Sequence, residues 1–228
     1  MANDSNATLE RSASRSARQT MRLLVLGATG GTGLELVKQA VGRGHSVTAF
    51  VRSPDRLQPF AERIHIEQGH LLDSAQLEHV LEGHDAVVSG FGPRLPVSKN
   101  DKHLLEQFAR TLTGAMQRSG VRRVVVESVA FLFKDAIMPP AYLLGRLLFS
   151  GIVADATAME RIFEESALEW TMIRPPELTN TPFTGKYRVR DRHLPFFGFK
   201  ISRANVADFM LNAVESRATI GKIIGVAE

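Results

Sequence analysis

The stretch VLGATGGTG, residues 25–33, decides the fold of this chain. It stands between the apolar run Leu23–Leu26 and a helical spacing of apolar residues that begins at Leu34, so it predicts the turn from a first strand into a first helix. Its glycines follow the spacing G-x-x-G-x-x-G, at Gly27, Gly30 and Gly33. Such glycines let the backbone turn sharply and approach a diphosphate closely, while unpaired amides at the helix start face the phosphates. A glycine pattern also fits a simple tight turn, but a second strand expected at Ser46–Val51 favours dinucleotide binding.

Strands and helices alternate along the rest of the chain. Apolar runs predict strands at Leu23–Leu26, Ser46–Val51, Arg63–Gln68, Asp85–Gly90, Val121–Val126 and Glu169–Ile173. Apolar residues at helical spacing predict helices from Leu34 to Gly42, over Ser74–Leu81, from Leu104 to Gly120, around Ile152–Phe163 and around Val206–Val214. Parallel strands joined by helix-length crossovers form a sheet that is covered on both faces. The predicted fold is therefore α/β, a Rossmann-type doubly wound parallel sheet.

We expect one domain over residues 21–228, in which the Pro-, Gly- and Phe-rich portion 175–228 forms the substrate side of the cleft. Residues 1–20 are polar and rich in Ser, Ala and Arg, which predicts a disordered tail. A transit peptide is also rich in Ser and Arg, but Asp4 and Glu10 disfavour that interpretation. The expected location is therefore the cytoplasm.

The composition narrows the classes of function. The chain has 228 residues and no cysteine, which excludes disulfides, thiolate catalysis and cysteine-bound metals. Its histidines are scattered, so no metal site is expected. The formal charge of +4 comes without a dense basic stripe, and no apolar run reaches the ~20 residues of a membrane helix, so neither nucleic acid nor membrane is an expected partner. We expect a small-molecule substrate, bound by a monomer or a homodimer.

Further motifs give the chain a family resemblance. After the glycine turn come Phe50-Val51-Arg52 at a strand end and the strand exit Ser128-Val129-Ala130-Phe131-Leu132. Pro175-Pro176 and Thr184-Gly185-Lys186-Tyr187 follow in the same order as in the family. Over residues 21–226 the chain resembles the atypical extended short-chain dehydrogenases. It is most similar to their NAD(P)H-binding group, which holds biliverdin reductase B (flavin reductase), and more distantly to NmrA-type redox sensors.

Two arginines follow the second strand, where the 2′-phosphate of NADP is bound in such folds. Arg52 directly follows the last residue of the strand, and Arg56 lies four residues later. A guanidinium binds phosphate with two parallel hydrogen bonds, whereas an acidic residue at this place would select NAD. Two solvated surface arginines are the alternative. We therefore expect NADP(H), with NAD(H) as the lesser cofactor.

Other expected cofactor contacts come from the turn and from later loops. Thr29, Gly31 and Thr32 offer amides or hydroxyls to the diphosphate, although either threonine could simply cap the helix. The resemblance implies that Gly90, Phe91 and Gly92 pass under the adenosine, and that Ser128 and Pro175 lie near the nicotinamide. His70 stands where the family usually has an aspartate near the adenine, and an exposed loop histidine is the alternative.

The resemblance identifies the residues that would donate a proton less clearly than those that would bind the cofactor. Tyr142 has the spacing of the family's Tyr-x-x-x-Lys pair, but Arg146 replaces the lysine, and a helix start after two prolines explains the same residues. The serine and histidine of the biliverdin reductase B pattern fall on Val129 and Glu177. The catalytic candidates are therefore Ser128, Glu177 if burial raises the pKa of its carboxyl, and Tyr142.

Phenylalanines near the substrate side could wall an apolar, planar acceptor: Phe131, Phe133, Phe183, Phe196, Phe197 and Phe199. The run from Leu194 to Phe199 fits a lid, a partner contact or simple packing, whereas Trp170 in a strand fits core packing. The expected function is a reductase that transfers hydride from NADPH to a flavin, a quinone or a similar acceptor. The alternative is a non-catalytic NADP(H)-sensing regulator of the NmrA type, and sugar-nucleotide epimerisation ranks last.

Overall fold

The computed structural model describes residues 20–92, 103–132 and 150–228. Its strands are β1 (Arg22–Leu26), β2 (Ser46–Val51), β3 (His65–Gln68), β4 (Ala86–Ser89), β5 (Arg123–Glu127), β6 (Glu169–Arg174), β7 (Glu177–Thr179), β8 (Arg188–Asp191), β9 (Lys200–Ser202) and β10 (Lys222–Ala227). Its helices are α1 (Gly31–Gly42), α2 (Ser74–Leu81), α3 (Leu104–Ser119), α4 (Ser150–Glu165) and α5 (Arg203–Val214). A short 3₁₀ helix, Asp55–Phe60, follows β2.

Eight of these strands form one sheet in the order β3-β2-β1-β4-β5-β6-β10-β8. The chain runs outward from β1 in one direction through β2 and β3, then returns to β4 on the other side of β1 and continues outward. Val25 of β1 pairs with Ala49 of β2 and with Val88 of β4, both in parallel register. The predicted Rossmann-type doubly wound α/β fold is confirmed.

Helices cover both faces of the sheet, and side chains alternate between the two faces along each strand. Val124 and Val126 of β5 pack with Phe108, Met116 and Phe163, on the face that α2, α3 and α4 cover. Val125, between them, packs with Leu36 and Val206, on the face that α1 and α5 cover. Because the central strands are buried on both faces, they appear in the amino-acid sequence as continuous apolar runs.

The C-terminal part of the sheet differs from the expectation. β10 extends the parallel order beside β6, and β8 then pairs with it antiparallel, with Gly225 opposite Arg190. β7 and β9 form a separate two-stranded parallel sheet. The sheet is therefore mostly parallel and not wholly so, and these four strands were not predicted.

An enclosed group of ion pairs joins the C-terminal portion to α1. The guanidinium of Arg43, just after α1, lies 2.7 Å from an oxygen of Asp208 and 2.8 Å from an oxygen of Glu215. The hydroxyl of Tyr187 donates to the second oxygen of Asp208 at 2.6 Å, and burial together with this carboxylate raises the pKa of that tyrosine. The packing is consistent with one domain over residues 21–228, which stays a prediction.

Candidate functional site

The glycine turn leaves the start of α1 open to a ligand. The residue before the helix is Gly30, which has no side chain to accept a hydrogen bond from the first-turn amides, and this turn carries no acidic residue. By contrast, Asp73 accepts from two amides of α2, and Ser202 from one amide of α5. The first amides of α3 donate to Asp155. Among the starts of α1, α2, α3 and α5, the start of α1 is therefore the one that suits a bound anion.

The glycines of the turn sit where a side chain would collide with backbone. Gly27 has φ +70°, and a Cβ atom there would lie 2.7 Å from the amide nitrogen of Phe91. A Cβ atom on Gly33 would lie 2.0 Å from the carbonyl oxygen of Gly27. This close packing leaves a smooth backbone surface at the carboxyl end of β1, which fits a diphosphate and supports the dinucleotide interpretation.

The loop after β4 closes the other side of the turn. The amide of Gly90 donates to the carbonyl of Leu26 at 3.1 Å, and a Cβ atom on Gly90 would lie 3.2 Å from the amide nitrogen of Gly33. The ring of Phe91 packs on Phe108 with centroids 4.8 Å apart, and Gly92 is exposed. The structure therefore brings this predicted segment beside the glycine turn.

One of the two predicted phosphate-binding arginines contacts the turn directly. Arg56, on the 3₁₀ helix after β2, donates from Nη1 to the carbonyl of Thr29 at 2.5 Å. Arg52 is exposed at the end of β2, where its own carbonyl accepts from Gln68. Both arginines therefore lie at the carboxyl end of β2, which is next to the carboxyl end of β1 where the glycine turn begins.

The remaining loop candidate is at the end of β3. His70 is exposed, and its Nδ1 accepts from the amide of Leu72 at 3.2 Å. Its own amide donates to the side chain of Gln76. His70 follows β3, which pairs with β2 at one end of the sheet, and its contact with an adenine stays a prediction.

Ser128 lies in a buried polar group at the exit of β5. Its hydroxyl donates to Glu160 Oε1 at 2.5 Å, and Arg174 donates from Nε to the same oxygen at 2.9 Å. A second bond joins Arg174 Nη2 to Glu160 Oε2, and Glu160 is only 4% exposed. Sequence reasoning missed Glu160 as the partner of Ser128, and Arg174 as the partner of Glu160. The available signal was a charged residue at position 160 within the apolar helix face of Ala156 and Phe163.

Glu177 and Tyr142 are the other catalytic candidates. Glu177 is exposed at the start of β7, so the burial on which its expected role depended is absent. Tyr142 lies outside the described residues. Pro175 is buried, and its carbonyl accepts from the amide of Ala130 at 3.1 Å, which ties the exit of β6 to the exit of β5.

The aromatic run next to Glu177 faces solvent. Phe196, Phe197 and Phe199 are 71%, 74% and 63% exposed, so simple packing does not explain them. The carbonyl of Phe199 accepts from the amide of Glu177 at 3.2 Å, which places the run beside the exit of β6. We call these three residues the Phe surface. Trp170, by contrast, packs against the core as expected.

A further acidic residue at the carboxyl edge was not anticipated. Glu127 ends β5, and burial raises the pKa of its carboxyl to about 7, although a hydrogen bond from Thr32 and the charge of Arg203 lower it. Thr32 and Arg203 lie far from Glu127 in the chain, so no local pattern in the sequence indicates this cluster.

Within residues 20–92, 103–132 and 150–228 there is no grouping of side chains suited to a metal ion, and no helix has the length and apolar character to cross a membrane.

Comparison with known proteins gives a consistent result. A family model described as NAD(P)H-binding matches residues 27–217. An uncharacterised chloroplastic protein of Arabidopsis thaliana is 28% identical over 96% of this chain and 82% of its own length.

Solved structures share the fold. A wide-type short-chain dehydrogenase/reductase from Veillonella parvula, solved in complex with NADP, has a TM-score of 0.77 and 21% identity, over 92% of this chain and 95% of its own. The anaerobillin reductase ChuY of Escherichia coli O157:H7 has a TM-score of 0.75 and 20% identity, over 91% of this chain and 97% of its own. The closer likeness to biliverdin reductase B stays a prediction, as does the cytoplasmic location.

Proposed function

The chain belongs to the NAD(P)H-binding family, and we propose that it is a reductase that transfers hydride from NADPH to a flat, conjugated acceptor such as a flavin or a quinone. The open amides of α1 carry this proposal, because they join a helix start suited to a diphosphate with two nearby arginines. The nicotinamide supplies the hydride, and the protein supplies binding, orientation and exclusion of water.

The arginines support a preference for NADPH over NADH. Arg56 is held against the turn by its bond to Thr29, and the exposed Arg52 is available to a phosphate on the adenosine ribose. A guanidinium contributes a charge-assisted hydrogen bond that is about twice as strong as a neutral one. The 2′-phosphate is the only group that distinguishes the two cofactors, so these side chains would set the preference.

Ser128 is proposed to position the nicotinamide. Because its hydroxyl hydrogen is donated to Glu160, its oxygen remains an acceptor, suited to the carboxamide N–H of a nicotinamide. The pair of Glu160 and Arg174 would hold that oxygen in place. Reduction of a flavin or quinone then needs one hydride from the cofactor and one proton, which solvent can supply.

The Phe surface is proposed to receive the acceptor. A backbone hydrogen bond from Glu177 ties Phe199 to the segment that follows β6, and the rings of the Phe surface offer apolar faces for a planar conjugated molecule. ChuY, whose fold is similar, is an anaerobillin reductase. A flat acceptor is therefore the substrate class that this surface suits best.

The test is oxidation of NADPH and of NADH by the purified protein with FMN, quinones and biliverdin. We expect turnover with at least one acceptor, and we expect Arg52→Ala to raise the KM for NADPH about tenfold while the KM for NADH changes little, since a charged hydrogen bond contributes about 1.5 kcal/mol or more. Arg122→Ala is the matched control, because Arg122 is also exposed but precedes β5 at the opposite edge of the sheet.

Two outcomes would contradict the proposal. Tight NADPH binding without oxidation by any acceptor would remove the reductase activity and favour a sensor. An equal effect of Arg52→Ala on both cofactors, or an equal effect of Arg122→Ala, would remove the phosphate-binding role of Arg52.

A further inference from the structure

An acidic side chain lies beside the amides that begin α1. Glu127 is the last residue of β5, and it shares a sheet face with Val125, which packs in the core beneath α1 and α5. The carboxyl of Glu127 is hydrogen-bonded to Thr32, the second residue of α1. The carboxyl therefore lies directly against the helix turn that is suited to the diphosphate.

This carboxyl is enclosed and incompletely satisfied. Its Oε2 atom is buried and has no hydrogen-bond partner among the described residues. An enclosed carboxylate oxygen without a donor is costly when it is ionised, so such a group gains from protonation. In agreement, burial raises its pKa to about 7, which places the change of charge in the neutral range.

The charged group that faces Glu127 comes from α5. Arg203 begins α5, and its side chain lies over Gly31, since a Cβ atom there would be 2.5 Å from Arg203 Cδ. Its Nη1 atom donates to the carbonyl of Leu178 at 3.2 Å and to Asn180 Oδ1 at 2.7 Å. Thr32 from α1 and Arg203 from α5 are the two side chains that lower the carboxyl pKa, and burial is the larger influence.

We propose that Glu127 makes cofactor affinity depend on pH: its protonated carboxyl accommodates the diphosphate at the α1 amides, and its ionised carboxylate opposes that binding. The proposal concerns the family's cofactor and not the reduction of an acceptor. It is therefore tested by binding alone, and it can fail or hold independently of the proposed reductase activity.

The sign follows from the charges. A diphosphate brings two negative charges next to the carboxyl, so bound cofactor favours the protonated form and raises the carboxyl pKa further. Binding above neutral pH then takes up a proton, and affinity falls as pH rises through about 7. Each unit by which the bound pKa exceeds the free one weakens binding about tenfold at high pH.

The first experiment uses the unaltered protein and NADH. NADH lacks the 2′-phosphate, whose own second pKa near 6 would confuse the result. Calorimetric titration at about pH 7.5, in two buffers with different ionisation enthalpies, gives the number of protons exchanged on binding. We expect uptake of a substantial fraction of one proton. No uptake would overturn the proposal without reliance on any variant.

The second experiment assigns the proton to Glu127. Fluorescence titrations with NADH at about pH 6 and about pH 8.5 should show affinity falling about tenfold or more in the unaltered protein. The same change of pH should alter affinity less than about twofold in Glu127→Gln, which keeps the shape but cannot ionise. Glu35→Gln is the matched control, since Glu35 lies on α1 itself but pairs with Lys38 at 3.5 Å, and this variant should keep the full pH dependence. An unchanged pH dependence in Glu127→Gln would assign the proton to another group and overturn the proposal.

Discussion

Gly33 is the residue at which the turn has least room. A Cβ atom would lie 2.0 Å from the carbonyl oxygen of Gly27 and 2.7 Å from the Cα atom of Ala28, both of them backbone atoms that cannot swing aside. We expect Gly33→Ala to lower the free energy of unfolding by about 2–3 kcal/mol, because overpacking forces the backbone to shift. The variant should also lose detectable NADPH binding. Denaturant unfolding and fluorescence titration measure the two effects.

Gly42, in the last turn of the same helix, provides the control. A Cβ atom there meets nothing within 4 Å. Gly42→Ala should therefore leave NADPH affinity unchanged and stabilise the protein by up to about 0.5–1 kcal/mol, because alanine loses less backbone entropy than glycine in a helix. Equal losses in both variants would show that the turn is not specifically constrained.

At the residue scale, the sequence predicts local features well and distant partners poorly. Gly27, Gly33 and Arg52 follow from short spacing, because the turn and the strand that place them are contiguous in sequence. The partners of Ser128 do not, since Glu160 lies 32 residues further on and is joined to it by folding alone. The charge of Arg203 acts on Glu127 in the same way, and no pattern of spacing in the sequence indicates that pairing.

The turn that carries the Phe surface holds one residue in an unfavourable conformation. Phe197 has φ +55°, in the left-handed region, and is 74% exposed. Leu194, Pro195 and Gly198 anchor the turn by burial. Because left-handed backbone costs an L-residue about 1–2 kcal/mol, Phe197→Gly should raise the free energy of unfolding by about 1 kcal/mol. Under the proposed function it should also raise the KM for the acceptor several-fold.

Phe196 is the comparison within the same turn. It is similarly exposed, but its φ is not positive, so glycine relieves no strain there. Phe196→Gly should lower stability slightly through added freedom of the unfolded chain. Urea unfolding of both variants decides the point, and a Phe197→Gly protein that is no more stable than Phe196→Gly would contradict the strain argument.

At the element scale, the predicted strands and helices follow from hydrophobic periodicity, and the missed strands differ in kind. β8 has the sequence RVRD and is exposed throughout, so it has no apolar face to produce an alternating pattern. β7 and β9 are three residues long. β10 does hold the buried residues Ile223, Ile224 and Val226, and this apolar run is a usable signal for a strand.

For the molecule as a whole, Arg43 is a polar link between the end of α1 and the C-terminal helix α5. Its side chain is 9% exposed and is paired with the carboxylates of Asp208 and Glu215. Arg43→Met keeps the apolar stem but removes the guanidinium that pairs with Asp208 and Glu215, so we expect a loss of about 2–4 kcal/mol in the free energy of unfolding. Lys38→Met is the control, since Lys38 is exposed on the same helix and should cost less than about 0.5 kcal/mol.

The same link predicts how the protein unfolds. If residues 21–228 form one domain, scanning calorimetry should show a single transition in the unaltered protein and in Arg43→Met, at a lower temperature in the variant. Two separate transitions in the unaltered protein would instead divide the chain into a dinucleotide-binding part and an independent C-terminal part.

The basic edge strand has a consequence for the protein at high concentration. Arg188 and Arg190 of β8 are exposed at one end of the sheet order, and β3 at the other end is also only four residues long. A second copy that aligned its own β8 in parallel register along this edge would bring arginines against arginines. Short, charged edges are poor templates for further strand pairing. We therefore expect the cationic strand β8 to limit growth of the sheet at its own end and to disfavour fibrous aggregation there.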